Sequence, residues 1–237
     1  MINHKKTLVS VLPAMVVPAG GALFYFVILS GSNLSVVVYF LTKLFMLIWP
    51  WAIFMMVEKR KVISLFKDPA VHVKSIPWGF LLGGVMALFI WSMCVFTRLG
   101  DYVQGYASMV QQKANDMQIY NHYVAFAIFV SLGHSLLEEY YWRWFVFGRL
   151  RQFINPVSAG LWASLAFAAH HYVILGGFFS AMGAIILGSA VGLGGALWCW
   201  MYHRQKTLIG CWICHALVDA AILYIGYKLI FCPAGSL

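Results

Sequence analysis

The sequence predicts an all-α polytopic bundle that crosses a membrane about seven times, or eight if one run is re-entrant, and three observations predict it. Of 237 residues, 62% are hydrophobic and 10% are charged, whereas soluble domains average about 45–50% and about 25%. The mean hydropathy is +0.83. The apolar residues also gather into runs long enough to cross a hydrocarbon layer of about 30 Å. These values exclude a water-soluble globule, a disordered chain, a collagen and a secreted disulfide scaffold. With only 16 Lys and Arg and 7 Asp and Glu in the chain, the position of each charge becomes the main functional signal.

The first run, 8–29, follows His4-Lys5-Lys6 and continues through Phe24 to Leu29 without a small-x-small cleavage site. It is therefore expected to be a retained helix rather than a signal peptide. The second run is 34–57, and the basic loop 58–75 after it faces anionic lipid. The third run, 76–97, leads into a polar, net-neutral loop, 98–121, expected to lie along the outer surface. Runs four and five are 122–146 and 157–175. In the sixth, 177–202, Ser180, Ala184, Gly188, Gly192 and Ala196 recur every four residues, so one helix face is small enough for another helix to approach closely. The seventh is 208–230.

Orientation follows from the loops. With a cytoplasmic N-terminus, the inner segments hold Lys5, Lys6, Lys59, Arg60, Lys61, Lys67, Lys74, Arg149, Arg151, Arg204 and Lys206, and the outer ones hold only Arg98 and Lys113. Eleven against two is a strong positive-inside bias, and it assigns alternate loops consistently. The net charge of +9 thus reflects topology, and no basic stripe interleaved with aromatics suggests nucleic acid as a partner. The expected partner is the lipid bilayer. Cys94, Cys199, Cys211, Cys214 and Cys232 lie mostly inside apolar runs and are expected to be small buried hydrophobes.

Three basic residues remain inside spans, Lys43, Arg143 and Lys228, and for Lys43 and Lys228 snorkelling of the long stem towards an interface is the expected role. An ionisable group at mid-bilayer costs about 2.5–3.5 kcal/mol even on lenient scales, so each is a functional candidate. They cluster. The fourth span carries His134, Glu138, Glu139 and Arg143, the fifth His170 and His171, and the seventh His215 and Asp219. His134 and Glu138, Glu139 and Arg143, and His215 and Asp219 are each four apart and share a helix face. Glu138 and Glu139 point about 100° apart. Glu139 is expected to pair with Arg143, leaving Glu138 to face the bundle interior beside His171 as a general base on water. His134 is expected to glue helices.

Glu138-Glu139-Tyr140-Tyr141-Trp142-Arg143 has the form EExxxR, Phe167 to His171 the form FxxxH, and His215 to Asp219 the form HxxxD. In this order the motifs resemble those of the CAAX prenyl protease type II family, also called the Abi or CPBP family of glutamic intramembrane endopeptidases. The resemblance covers roughly residues 122–228. It implies that Glu138 and His171 activate water for attack on a peptide carbonyl, and that His215 and Asp219 help stabilise the oxyanion. It further implies that Glu139 and Arg143 support the first motif, that Phe167 packs behind the histidine, and that neither metal nor other cofactor takes part. His171 fits the FxxxH spacing, and His170 is expected to point elsewhere on the helix as a supporting residue. Ionised Asp219 can only accept a hydrogen bond, so it is either protonated or orients His215. The chain then divides into an N-terminal region of three spans, 1–121, and a catalytic helix bundle, 122–237, acting near the C-terminus of a membrane-anchored protein or peptide, and its short length suits a bacterial member of that family, expected in the inner membrane.

Other chemistries stay open. Cys211 to His215 is a literal C-x-x-C-H, the haem-attachment pattern, but it sits in an apolar run on the expected inner side. Glu138, His171 and His215, with Asp219, could instead furnish a zinc shell for a metal-dependent protease. Intramembrane Glu and His also mark proton-coupled transporters. A non-proteolytic immunity or scaffold role is a further alternative.

Overall fold

Backbone polar groups in hydrocarbon must be satisfied within their own segment, which restricts lipid-exposed chain to helices or closed barrels. The computed structural model describes residues 4–56 and 69–232, with side chains over 9–55 and 69–232, and among these residues there is no strand. The basic residues Lys59, Arg60, Lys61 and Lys67 of the expected inner loop lie outside the described residues. Among the described residues, six helices are long and apolar enough to cross a membrane: Val9–Ile28, Asn33–Met55, Pro69–Phe96, Pro156–Gly176, Ala181–Gln205 and Ile209–Phe231. They correspond to the first three and last three runs of the sequence. The third starts at Pro69 rather than at 76.

In chain order the helices are α1 (His4–Ala22), running on into a π-helical turn Leu23–Ile28, α2 (Asn33–Met56) and α3 (Pro69–Phe96). Next come α4 (Arg98–Gln104) and α5 (Ala107–Asp116), where the sequence suggested a surface loop. The fourth expected span is built differently from the other six. It comprises α6 (Tyr123–Phe129), a π-helical turn Val130–His134, α7 (Ser135–Glu138), a longer π-helical stretch Glu139–Phe147 and α8 (Gly148–Leu150). The wider winding buries Glu139, Tyr141, Trp142, Arg143, Phe145, Val146 and Phe147 together. Such π segments recur at functional sites. The last helices are α9 (Pro156–Gly176), α10 (Ala181–Gln205) and α11 (Ile209–Phe231).

The helix ends are chemically specified. Asn155 caps α9 by accepting from the Ser158 N–H at 3.0 Å, with Pro156 at the first helical position. Ser180 caps α10 through the Gly183 N–H, and Thr97 caps α4 through the Leu99 N–H. At the end of α10, Lys206 takes φ 57°, ψ 22°, a left-handed conformation that costs a residue with a Cβ about 1–2 kcal/mol. Partial desolvation, and then the Arg151 guanidinium, hold its ammonium below the usual lysine range. Lys206→Gly is therefore expected to raise thermal stability modestly, by up to about 1 kcal/mol, read as a higher melting temperature in detergent.

The chain forms two compact units, residues 1–71 with 137–208 and residues 72–136 with 209–237. In the first unit, Tyr141 donates to the Ala14 carbonyl at 2.8 Å, Trp49 to Ser10 at 2.8 Å and Tyr140 to Leu47 at 3.1 Å, tying α1 and α2 to the π-helical stretch. The small-residue face of α10 meets α9: a Cβ at Gly192 would come within 3.2 Å of Ala168 Cβ, one at Gly195 within 3.0 Å of Phe167, and one at Gly188 would fall inside the Tyr172 ring. Gly188→Val is expected to cost about 1–3 kcal/mol through overpacking. Gly20→Ala, where an added Cβ meets nothing within 4 Å, is expected not to destabilise. Detergent melting curves of the two variants check the pair.

In the second unit, Gly79 and Gly83 of α3 lie against Gly210, Ile213, Cys214 and Leu217 of α11. Tyr123 donates to the Leu223 carbonyl at 3.0 Å, and α5 docks on α11 through Gln111, which donates to the Ile230 carbonyl at 3.4 Å. Cys94, Cys199, Cys211 and Cys214 are buried thiols, and no disulfide forms among the described residues. Phe40, Leu88, Phe89 and Leu193 are exposed while Glu138, Glu139, Arg143 and His215 are buried. That is the reverse of a soluble surface, and lipid solvates it.

Candidate active site

Glu138 is the last residue of α7, at the point where the winding widens, and is 2% exposed. From α9, one helix of the same unit, His170 and His171 approach it. His170 Nε2 is 3.3 Å from Glu138 Oε1, and one ligand atom from each of Glu138, His170 and His171 lies within 4.8 Å of the others. An ionised carboxylate only accepts, so either the His170 Nε2–H donates to it or a protonated Glu138 donates to the ring; the pair holds one proton between them. His171 Nδ1 is 3.0 Å from the Phe167 carbonyl. Since a carbonyl cannot donate, this nitrogen carries the N–H, and Nε2 of the neutral ring keeps the lone pair.

His170 therefore departs from expectation. Consecutive helical residues diverge by about 100°, yet the two imidazole centroids are 4.0 Å apart and both rings join the Glu138 cluster. Packing decides this. The Trp142 indole lies parallel to the His170 ring at 5.8 Å, and Phe167 meets it edge-on at 5.4 Å, which holds the buried imidazole towards the carboxylate.

Behind this layer lies the expected ion pair. Arg143 NH1 is 3.1 Å from Glu139 Oε1, with both side chains at most 1% exposed. The guanidinium is 4.6 Å from the Phe167 ring centroid and 4.9 Å from that of Trp198, and its NH2 donates to the Gly195 carbonyl at 3.4 Å. Phe167 touches both layers, with its centroid 4.6 Å from that of His171. The absence of a Cβ at Gly195 lets α10 come this close.

The remaining candidates belong to the second unit. His215 is buried on α11, and its Nε2 is 3.6 Å from Asp219 Oδ1, an electrostatic contact one turn along the helix rather than a hydrogen bond. His134 ends the π-helical turn 130–134 and is partly buried. In the first unit, Tyr25, Tyr39 and Lys43 also stand within electrostatic reach of Glu138. Lys43, expected to snorkel, lies near the middle of the second span.

Chemically, a buried carboxylate with two imidazoles can take a proton from water, or supply one oxygen and two nitrogens to a zinc-class ion. The ligand set that the structure brings together is Glu138, His170 and His171. Against known proteins, residues 120–221 match the family model described as Type II CAAX prenyl endopeptidase Rce1-like. Over these residues the chain is similar to that family. The Rce1-like segment contains every motif residue named above, from His134 to Asp219. That family is one of endopeptidases, and with six helices among the described residues long and apolar enough to cross a membrane the chain is an integral membrane protein. No curated protein and no solved structure matches the chain.

Proposed function

We propose that this chain is an intramembrane endopeptidase that hydrolyses a peptide bond near the C-terminus of a membrane-associated protein or peptide, with residues 122–237 as its catalytic half. The observation that carries the reading is the buried Glu138, held 3.3 Å from His170 and clustered with His171, inside an Rce1-like segment.

In this scheme the His170 Nε2–H holds one oxygen of ionised Glu138, and the carboxylate takes a proton from water. His171, its tautomer set by the Phe167 carbonyl, accepts at Nε2 a hydrogen bond from the hydrogen that the hydroxide keeps. Hydroxide attacks the scissile carbonyl, and a donor from His215, oriented by Asp219, stabilises the oxyanion. Glu138 then returns its proton to the leaving amine. Arg143 neutralises Glu139, which leaves Glu138 as the carboxylate that moves the proton. The proposed setting is a bacterial inner membrane with the N-terminus cytoplasmic, which fusions of a periplasm-dependent reporter to loop 98–121 would check.

The test is to reconstitute the protein in liposomes with peptides bearing short apolar C-terminal tails, with and without an S-prenylated cysteine, and to follow products by mass spectrometry. Cleavage by the wild type that Glu138→Ala abolishes supports the proposal; equal cleavage by both proteins overturns it. The donor set of Glu138, His170 and His171 favours one second reading, a metal-dependent protease. Loss of cleavage on chelation, with recovery on adding zinc, selects that reading.

A further inference from the structure

Lys43 stands ten residues past Asn33 and twelve before Met55 in the second span. At 1.5 Å of rise per residue this is about 15 Å or more from either end, too deep for its stem to reach an interface. An ammonium at such depth is expensive and needs a partner. The contacts it makes are soft ones: Nζ lies 5.5 Å from the Tyr39 ring centroid and 4.0 Å from Met46 Sδ. Among the described residues it meets no oxygen acceptor and no carboxylate within 4.0 Å. Neither a thioether nor a ring face neutralises a charge as a carboxylate does.

Two phenols stand beside the ammonium. Tyr39 lies one turn before Lys43 on α2, and Tyr25 from the π-helical turn 23–28 meets the Tyr39 ring edge-on at 5.4 Å. Two phenol groups and an ammonium thus gather in the first unit within electrostatic reach of Glu138. A lipid phosphate carries suitable charge, but it resides in the headgroup layer rather than at mid-span. A peptide that ends inside the membrane brings its own carboxylate to this depth.

We propose that Lys43, with Tyr39 and Tyr25 beside it, binds the C-terminal carboxylate of the substrate and thereby measures the distance from the chain end to the bond presented to Glu138. This rests on the endopeptidase reading. It makes Lys43 a specificity residue for substrates with an uncapped C-terminus.

The experiment uses the full chain carrying Glu138→Gln in phosphatidylcholine nanodiscs, so that binding is read without turnover. The probe is a fluorescein-labelled peptide with an S-alkylated cysteine followed by three apolar residues, made as the free acid and as the C-terminal amide. The acid is expected to bind about tenfold or more tightly than the amide, as a charge-assisted hydrogen bond supplies. Lys43→Met is expected to bind both peptides at the level of the amide, and Lys43→Arg to restore the preference. Equal binding of acid and amide, no binding of either, or an unchanged ratio in Lys43→Met overturns the proposal. Loss of the preference when anionic phosphatidylglycerol is added identifies a lipid phosphate as the ligand and also overturns it. The same peptides with the Glu138-containing protein separate the two readings. Lys43-dependent binding without cleavage leaves the carboxylate site standing and removes the peptidase, whereas cleavage indifferent to amidation does the reverse.

Discussion

Glu138→Gln is expected to lower the rate of peptide cleavage by about 10²–10⁴-fold, the share that general acid–base catalysis ordinarily supplies. The substitution suits the geometry. A glutamine oxygen still accepts from the His170 Nε2–H at the position where Oε1 lies 3.3 Å away, so the imidazole, Trp142 and Phe167 keep their packing. What disappears is the basicity. Stability is expected to hold or rise slightly, because a carboxylate at 2% exposure is costly to desolvate and a neutral amide is less so. A variant that melts like the wild type and does not cleave assigns the base. One that retains cleavage within tenfold of wild type would falsify the mechanism, whatever its stability.

Removal of Arg143 is expected to give the largest loss of stability in the first unit, about 3–5 kcal/mol for Arg143→Met. Glu139 is fully buried, and its Oε1 faces the Arg143 guanidinium at 3.1 Å. Without that cation the carboxylate must be desolvated alone or take up a proton. The guanidinium also lies against Phe167 and Trp198, so methionine keeps part of the apolar contact while removing the charge. The double variant Glu139→Gln with Arg143→Met tests the cause. Burying two neutral groups is much cheaper than burying one charge, so the double variant should recover most of the stability lost by the single one. Thermal unfolding followed by size-exclusion fluorescence measures both. If the single variant melts within 1–2 °C of wild type, or the double variant is no better than the single, charge pairing is not what Arg143 contributes.

Composition and the seven apolar runs determined by themselves that this chain is an all-α membrane protein, and six of those runs are helices, the third starting seven residues earlier than expected and the others with ends close to the expected ones. Hydrocarbon leaves the backbone so few solutions that apolar length nearly dictates span. The candidate residues were legible for the same reason: an acidic group or histidine in such a run is expensive, so Glu138, Glu139, His170, His171, His215 and Asp219 stood out, and the i,i+4 rule found both the Glu139–Arg143 pair and the His215–Asp219 contact.

Only the tertiary structure decided the rest. An ideal-helix projection sends His170 away from His171, but stacking on Trp142 and the edge of Phe167 bring both rings to Glu138. The fourth run winds as alternating α and π turns, which places Glu138 and Glu139 both in the interior. Lys43 gained meaning only when Glu138, distant in sequence, was found within electrostatic reach of it. Local periodicity tells a residue which way its own helix faces. Ring packing and the approach of other helices settle what that face meets, and those depend on side chains far away in the chain.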